Sequence, residues 1–325
     1  MEFALTDVGQ AWRSAAQSIG RELGDEPAAA DVVLAAARVG LLDPHIDLLA
    51  AAVAVEALAC DSSSAALAFA LHTGVLLATV GDERSAALTR GEVVGAIGLS
   101  SDDMPTDTGG RLSGRASWVG PLTDHGVAII GARRDGTLGA YVIALDFAGV
   151  EQTPEQTAAL PGFVCGHLTL EDVPATPIGS PIPVMARVRV LMAAAGLGMG
   201  RRALQEALHA AKRYRGYGAG GEQTVQGLLA DAATELDAAM LLTWKAAAAA
   251  RWSFAEASMA KLAATEATQR AVARATQVVG ADTFRRGHII ERLAQDVRAL
   301  ELFAGRTEAL REAVAGEILP QGATE

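Results

Sequence analysis

The sequence has few aromatic side chains, almost no cysteine, a shortage of positive charge and no long unbroken apolar run. Only 4% of its 325 residues are Phe, Trp or Tyr, so small side chains must fill most of the interior. The two cysteines, Cys60 and Cys165, lie far apart without metal-ligand spacing. That excludes a disulfide scaffold and suits a reducing compartment. Lys and Arg number 27 against 38 Asp and Glu, for a net charge of -11. No basic face is evident to neutralise phosphates, which argues against a nucleic-acid partner. The apolar stretch from Leu48 to Cys60 is too short to span a bilayer and carries Glu56, so no membrane span is expected. Met1 to Trp12 lacks the basic start and apolar core of a signal peptide, so a cytoplasmic location is expected. The six histidines (His45, His72, His125, His167, His209 and His288) show no paired metal spacing, and there is no Gly-x-Ser-x-Gly elbow. No metal site is expected.

What is present is aliphatic and largely helical. Half the residues are hydrophobic, alanine is the commonest, and alanine has the best helix propensity. The pattern divides into three parts: a helical region over 1–92, a β region over 93–178, and a second helical region over 184–322. In the first, Leu48, Leu49, Ala52, Val55, Glu56 and Ala59 fall at helical spacing. Asp61 with Ser62 to Ser64 then breaks the pattern and caps a helix running through Ala65 to Leu77. In the second, Val94 to Leu99, Arg111 to Val119, Val127 to Ala132, Leu138 to Leu145 and His167 to Leu170 read as strands. Turn signals separate them at 107–110 and 134–136. Short strands without intervening helices predict a small antiparallel barrel or sandwich. Pro174, Pro177, Pro181 and Pro183 read as a stiff linker. Four long helical segments follow, over 188–212, 223–251, 254–279 and 289–318, and predict a four-helix bundle. In the second of them Val225, Leu229, Ala232, Leu236, Met240 and Thr243 form one apolar face. The run Gly196-Leu-Gly-Met-Gly200 has no strand before it, so it reads as close helix packing rather than a dinucleotide loop.

Helices, a small β domain and then a bundle make an α+β, mainly α chain, and local motifs narrow the resemblance. Gly95-Ala-Ile-Gly-Leu-Ser-Ser101 resembles a strand ending in Leu-Thr-Glu. Leu112-Ser-Gly-Arg-Ala-Ser-Trp-Val119 resembles a strand ending in Trp-hydrophobic-Ser/Thr. Leu168-Thr-Leu-Glu-Asp-Val-Pro174 resembles the exit from the β domain. In the bundle, Arg189 through Gly198, Tyr217-Gly218, Gln223 through Asp231, Gln277-Val-Val-Gly280, Arg292 through Asp296 and Phe303-Ala-Gly305 follow in matching order. In order and spacing the chain resembles the acyl-CoA dehydrogenase family over nearly its whole length.

That resemblance implies an FAD cofactor and an acyl-CoA substrate oxidised between its α and β carbons, with a carboxylate taking the α proton. It also implies a flavin ring between the β domain and the bundle, with the adenine end on a neighbouring subunit. The same motifs are eroded here. The two positions where the family carries its Glu base hold Val188 and Ala304, neither able to accept a proton. Glu301 and Glu308, a helical turn away, are the remaining candidates. The ring contacts reduce to Leu99, Ser100, Ser101, Trp118, Val119 and Gly120, the last having lost a hydroxyl. Tyr214 replaces a nucleotide-binding Arg, flanked by Arg213 and Arg215 that could still reach a pyrophosphate. Gln277 and Gly280 would face the adenine, and Arg189 the substrate. Such losses suggest one subunit of a heteromeric (α2β2) enzyme, with a homologous partner supplying the Glu and a bulky steroid-derived CoA thioester as substrate. The alternatives are a homomeric flavoenzyme with a displaced base and a non-catalytic scaffold without FAD.

Overall fold

The computed structural model describes residues 5–99, 103–213, 218–249 and 253–319. The described residues begin with five helices. Helix α1 (Asp7–Leu23) is capped by Thr6, whose hydroxyl accepts the Gly9 N–H at 3.2 Å. It is amphipathic, and Trp12, Ala16 and Ile19 go inward. Helix α2 (Ala29–Arg38) packs on α4 (Ser63–Ala78). Helices α3 (Leu48–Asp61) and α4 are apolar on every face, as buried helices must be. Ser62 joins them: its hydroxyl accepts from Ala65 N and donates to Asp25 O, so one residue ends α3, starts α4 and ties down the 24–28 connection. Helix α5 (Ser85–Thr89) is short.

The β domain has eight strands: β1 (Val94–Gly98), β2 (Thr106–Asp107), β3 (Arg111–Val119), β4 (Gly126–Arg134), β5 (Thr137–Ala144), β6 (Val150–Pro154), β7 (Gly166–Pro174) and β8 (Thr176–Gly179). Their order is β6-β7-β3-β2-β4-β5-β8, with β1 paired to β4. The β4–β5 hairpin turns on Asp135 and Gly136, both at positive φ, as a tight two-residue hairpin loop requires. Alternation along β4 sorts its side chains. Ala128, Ile130 and Ala132 enter a core private to the β domain, while Val127 and Ile129 join the main core shared with the helices.

The bundle comprises α6 (Ile182–Arg213), α7 (Gly218–Ala247), α8 (Phe254–Val279), α9 (Ile289–Leu302) and α10 (Thr307–Ile318). The glycine run in α6 is a site of close approach. A Cβ on Gly198 would lie 2.2 Å from Glu56 O, and one on Gly200 would lie 2.5 Å from Leu236 Cδ2. Beside this contact the buried Glu56 carboxylate pairs with Arg201 at 2.6 Å. By length and composition α6 is apolar enough to cross a membrane, but 78% of that window is buried inside the protein, as in a core helix.

Four expectations need correction. The β domain is mixed rather than antiparallel, because β1 runs parallel to β4 from Val94↔Gly126 to Gly98↔Ile130. The proline-rich stretch is not a linker. Pro174 ends β7 and Pro177 lies in β8, which pairs with β5, and β8 ends at Gly179, just past the expected edge at 178. Pro183 sits in the first turn of α6, where its missing N–H costs nothing. The last helical segment is two helices, since Ala304 (φ 56) and Gly305 (φ 111) break the α-conformation between α9 and α10.

Candidate active site

Three segments meet where the β domain faces the bundle: the end of β3 at Trp118–Pro121, the 159–165 loop before β7, and the 303–306 turn between α9 and α10. A register shift between Ala116 and Val119 distorts the end of β3 and leaves Trp118 at φ 54 and 49% exposed. Its ring meets His167 edge-on at 5.5 Å. His167 Nε2 lies 3.3 Å from Glu155 Oε1. Val119 is buried. Gly120 pairs with Ile97 across the sheet. A Cβ on Gly120 would stand 2.8 Å from Phe163 Cζ and 3.1 Å from Cys165 Cβ. The place of the missing hydroxyl is therefore filled, not merely vacated. Leu99 is half-buried at the end of β1, and Ser100 and Ser101 lie outside the described residues.

The turn at Ala304 is held from beneath by two buried cations. Arg189, on α6, donates from Nε to Ala304 O at 3.0 Å and from Nη1 to Ser258 Oγ at 2.7 Å. Its guanidinium lies over the Phe254 ring, 4.1 Å from the centroid. Lys261, on α8, donates from Nζ to Glu301 O at 3.0 Å and to Gly305 O at 2.7 Å. These carbonyls belong to the last turn of α9 and the break beyond it, where cations complement the helix dipole. Gly305 admits the arrangement: a Cβ there would lie 2.9 Å from Arg189 Nη2. Burial pushes the Lys261 ammonium down to about 7, with the Arg189 charge adding to the effect. Burial likewise lowers Arg189 to about 10.

No carboxylate of this chain stands ready at the turn among the described residues. Val188 is buried on α6, and its Cγ2 would lie 3.1 Å from a Cβ on Gly74. Glu301 is committed elsewhere, accepting from Gln269 Nε2, Arg298 Nη1 and Thr307 Oγ1 at 2.7–2.9 Å. Burial raises its pKa, but the hydrogen bonds from Thr307 and Gln269 and the charges of Arg298 and Lys261 outweigh that and lower it. A carboxylate held charged in this way is a poor base. Glu308 is exposed in the first turn of α10, where a negative charge suits the helix N-terminus.

The proposed nucleotide-side residues sit at helix ends. Arg213 is exposed at the last position of α6, and Arg215 lies outside the described residues. Gln277 is exposed near the end of α8, where Gly280, at φ 78, is the C-cap.

Sequence reasoning missed Lys261 and Phe163, and gave Asp296 only as the end of the Arg292–Asp296 motif, with no role. Lys261 was detectable as a lone charge on the buried stripe of Ala257, Ala264 and Thr268. Asp296, on α9, accepts the Leu160 N–H at 2.7 Å and is buried. Its neighbour Arg292 bridges to Asp25 and Glu26. The Arg292–Asp296 stretch thus ties α9 to both the β domain and the N-terminal helices. Nothing in the sequence marked Phe163.

Comparison with known proteins places this geometry. Residues 182–319 match the family described as acyl-CoA dehydrogenase, C-terminal domain. The human mitochondrial short-chain specific acyl-CoA dehydrogenase is 27% identical over 315 residues, spanning 84% of this chain and 76% of that protein. Over these spans the chain is similar to the acyl-CoA dehydrogenases. Butyryl-CoA dehydrogenase from Megasphaera elsdenii superimposes with a TM-score of 0.89 at 19% identity, covering 98% of this chain and all (100%) of that one. The steroid ACAD Tcur3481–Tcur3483 gives 0.83 at 20% identity, covering 95% and 97%. The chain therefore has the acyl-CoA dehydrogenase fold, and its homologues are FAD-dependent flavoproteins. In this chain Phe163 stands beside Gly120, and Ala304 stands where the resemblance expects a carboxylate.

Proposed function

We propose that this chain is one subunit of an FAD-dependent acyl-CoA dehydrogenase, active together with a homologous subunit that supplies the catalytic Glu and the flavin-ring pocket. The observation that carries this reading is the 303–306 turn. Ala304 occupies it, Arg189 and Lys261 anchor its carbonyls, and the two nearest acids are committed or exposed. The reaction is α,β-dehydrogenation of an acyl-CoA thioester. The likeness to a steroid ACAD designated by two names supports a two-chain assembly and a bulky steroid-derived acyl group. In that assembly, of α2β2 type, this chain meets the nucleotide half of FAD. By their place in the sequence we assign Arg213 and Arg215 to the pyrophosphate, and Gln277 and Gly280 to the adenine.

The test is co-expression with a homologous, Glu-bearing subunit from the same operon. A yellow heteromeric complex that reduces an electron acceptor in the presence of acyl-CoA, beside a colourless chain purified alone, is the expected result. A homo-oligomer of this chain carrying stoichiometric FAD and dehydrogenase activity would falsify the proposal.

A further inference from the structure

Two phenylalanines meet across the crevice between the β domain and the bundle. Phe163 is 1% exposed and meets Phe303 edge-to-face, with centroids 5.7 Å apart and planes at 81°, an attractive ring geometry. Phe303 caps the C-terminus of α9, so the contact bridges a β-domain loop and the bundle. The loop carrying Phe163 is fixed at several points. Leu160 N donates to Asp296 Oδ1 on α9 at 2.7 Å, and Gly162 N to Ser64 Oγ on α4 at 3.2 Å. Leu122 N donates to Val164 O at 2.8 Å, holding the far side of the loop against the end of β3. Gly162 is needed for this approach, since a Cβ there would lie 2.6 Å from Pro27 O. On the opposite wall, Arg189 and Lys261 hold the carbonyls of residues 301, 304 and 305.

We infer that the Phe163–Phe303 pair is a latch occupying the space a flavin ring would take on this chain. The chain then seats no isoalloxazine of its own, and its former crevice serves to lock the β domain to the bundle. The inference deepens the two-subunit reading, yet it is tested on this chain alone, so its failure and that of the assembly are distinguishable. In this inference a ring entering beside Gly120 would have to displace Phe163, which is buried and packed against Phe303.

Two measurements test it. Riboflavin, which carries the ring without the nucleotide, is titrated into the purified chain and its fluorescence followed. The wild-type chain should leave it unquenched, while the Phe163→Ala/Phe303→Ala chain should bind it at least about tenfold more tightly. Quenching by the wild type, or equal binding by both chains, overturns the latch. Gly120→Ser supplies the second measurement and needs no flavin. It should lower the unfolding midpoint more in the wild-type background than when Phe163 is already Ala, because removing the ring relieves the nearest contact and leaves only the one with Cys165 Cβ. Additive effects of Gly120→Ser and Phe163→Ala would show that Phe163 does not fill the place, and would also overturn it.

Discussion

Lowering the pH should destabilise this protein through one buried side chain, His72. The imidazole is fully buried on α4, between β1 and α5. Its Nδ1 accepts the Gly95 N–H at 3.0 Å, and its Nε2 lies 3.2 Å from Leu88 O. Only the neutral ring protonated at Nε2 satisfies both partners. A proton added at Nδ1 would face an N–H donor with no water to share the charge. Burial accordingly pushes the pKa down from 6.5 to about 4, partly opposed by the bond to Leu88 O. Because the folded pKa is depressed, the unfolded chain binds the proton more readily. The stabilisation is complete above the unfolded value of 6.5 and is lost as pH falls toward 4. Linkage sets the loss at about 1 kcal/mol near pH 5.5 and about 2–3 kcal/mol near pH 4.5. Urea unfolding of wild type and His72→Gln across that range measures it, since the difference between the two cancels most other titrating groups. The stability advantage of the wild type should shrink by these amounts as pH falls. A constant difference between the two proteins would refute the reasoning.

Other outcomes follow from the same packing. Gly198→Ala should cost about 1–3 kcal/mol or more in thermal unfolding, because its Cβ would fall 2.2 Å from Glu56 O at the α3–α6 contact. Lys261 has the same sign of pH dependence in a different window. Its folded pKa of about 7 lies below the ordinary lysine value of 10.5, so wild type should gain stability over Lys261→Met as pH rises from 7 to 10.5, read by urea midpoints. Ala replacement of both Arg213 and Arg215 should lower the FAD content of the co-purified complex, read as flavin absorbance per protein. Unchanged occupancy would remove both from the site. Ser62→Ala should cost about 1 kcal/mol by removing the α4 cap.

Much of this architecture was legible in the sequence because it rests on local periodicity. Arg111 to Val119 and Phe254 to Val279 read at their observed bounds, since alternation and helical spacing are properties of neighbouring residues. The glycine run of α6 was legible as packing because no strand preceded it. The short strands β2, β6 and β8 were not, because two to five residues are too few to show alternation and only pairing with a neighbouring strand defines them. The break at Ala304 was hidden for a similar reason: alanine is a good helix former, and only the Arg189 and Lys261 donors on other helices make the open turn favourable.

The candidate site divides along the same line. The sequence alone determined that the base positions hold Val188 and Ala304, that Gly120 lacks a hydroxyl, and that the chain is aliphatic, acidic and helical. These are facts of composition and order, fixed before folding. Only the tertiary structure decided that the missing hydroxyl's place is filled by Phe163, that Glu301 is bound to three partners, and that two buried cations hold the turn. The Phe163, Gln269, Arg189 and Lys261 contacts join residues tens to more than a hundred positions apart, where close packing and the need to satisfy buried polar groups select the arrangement.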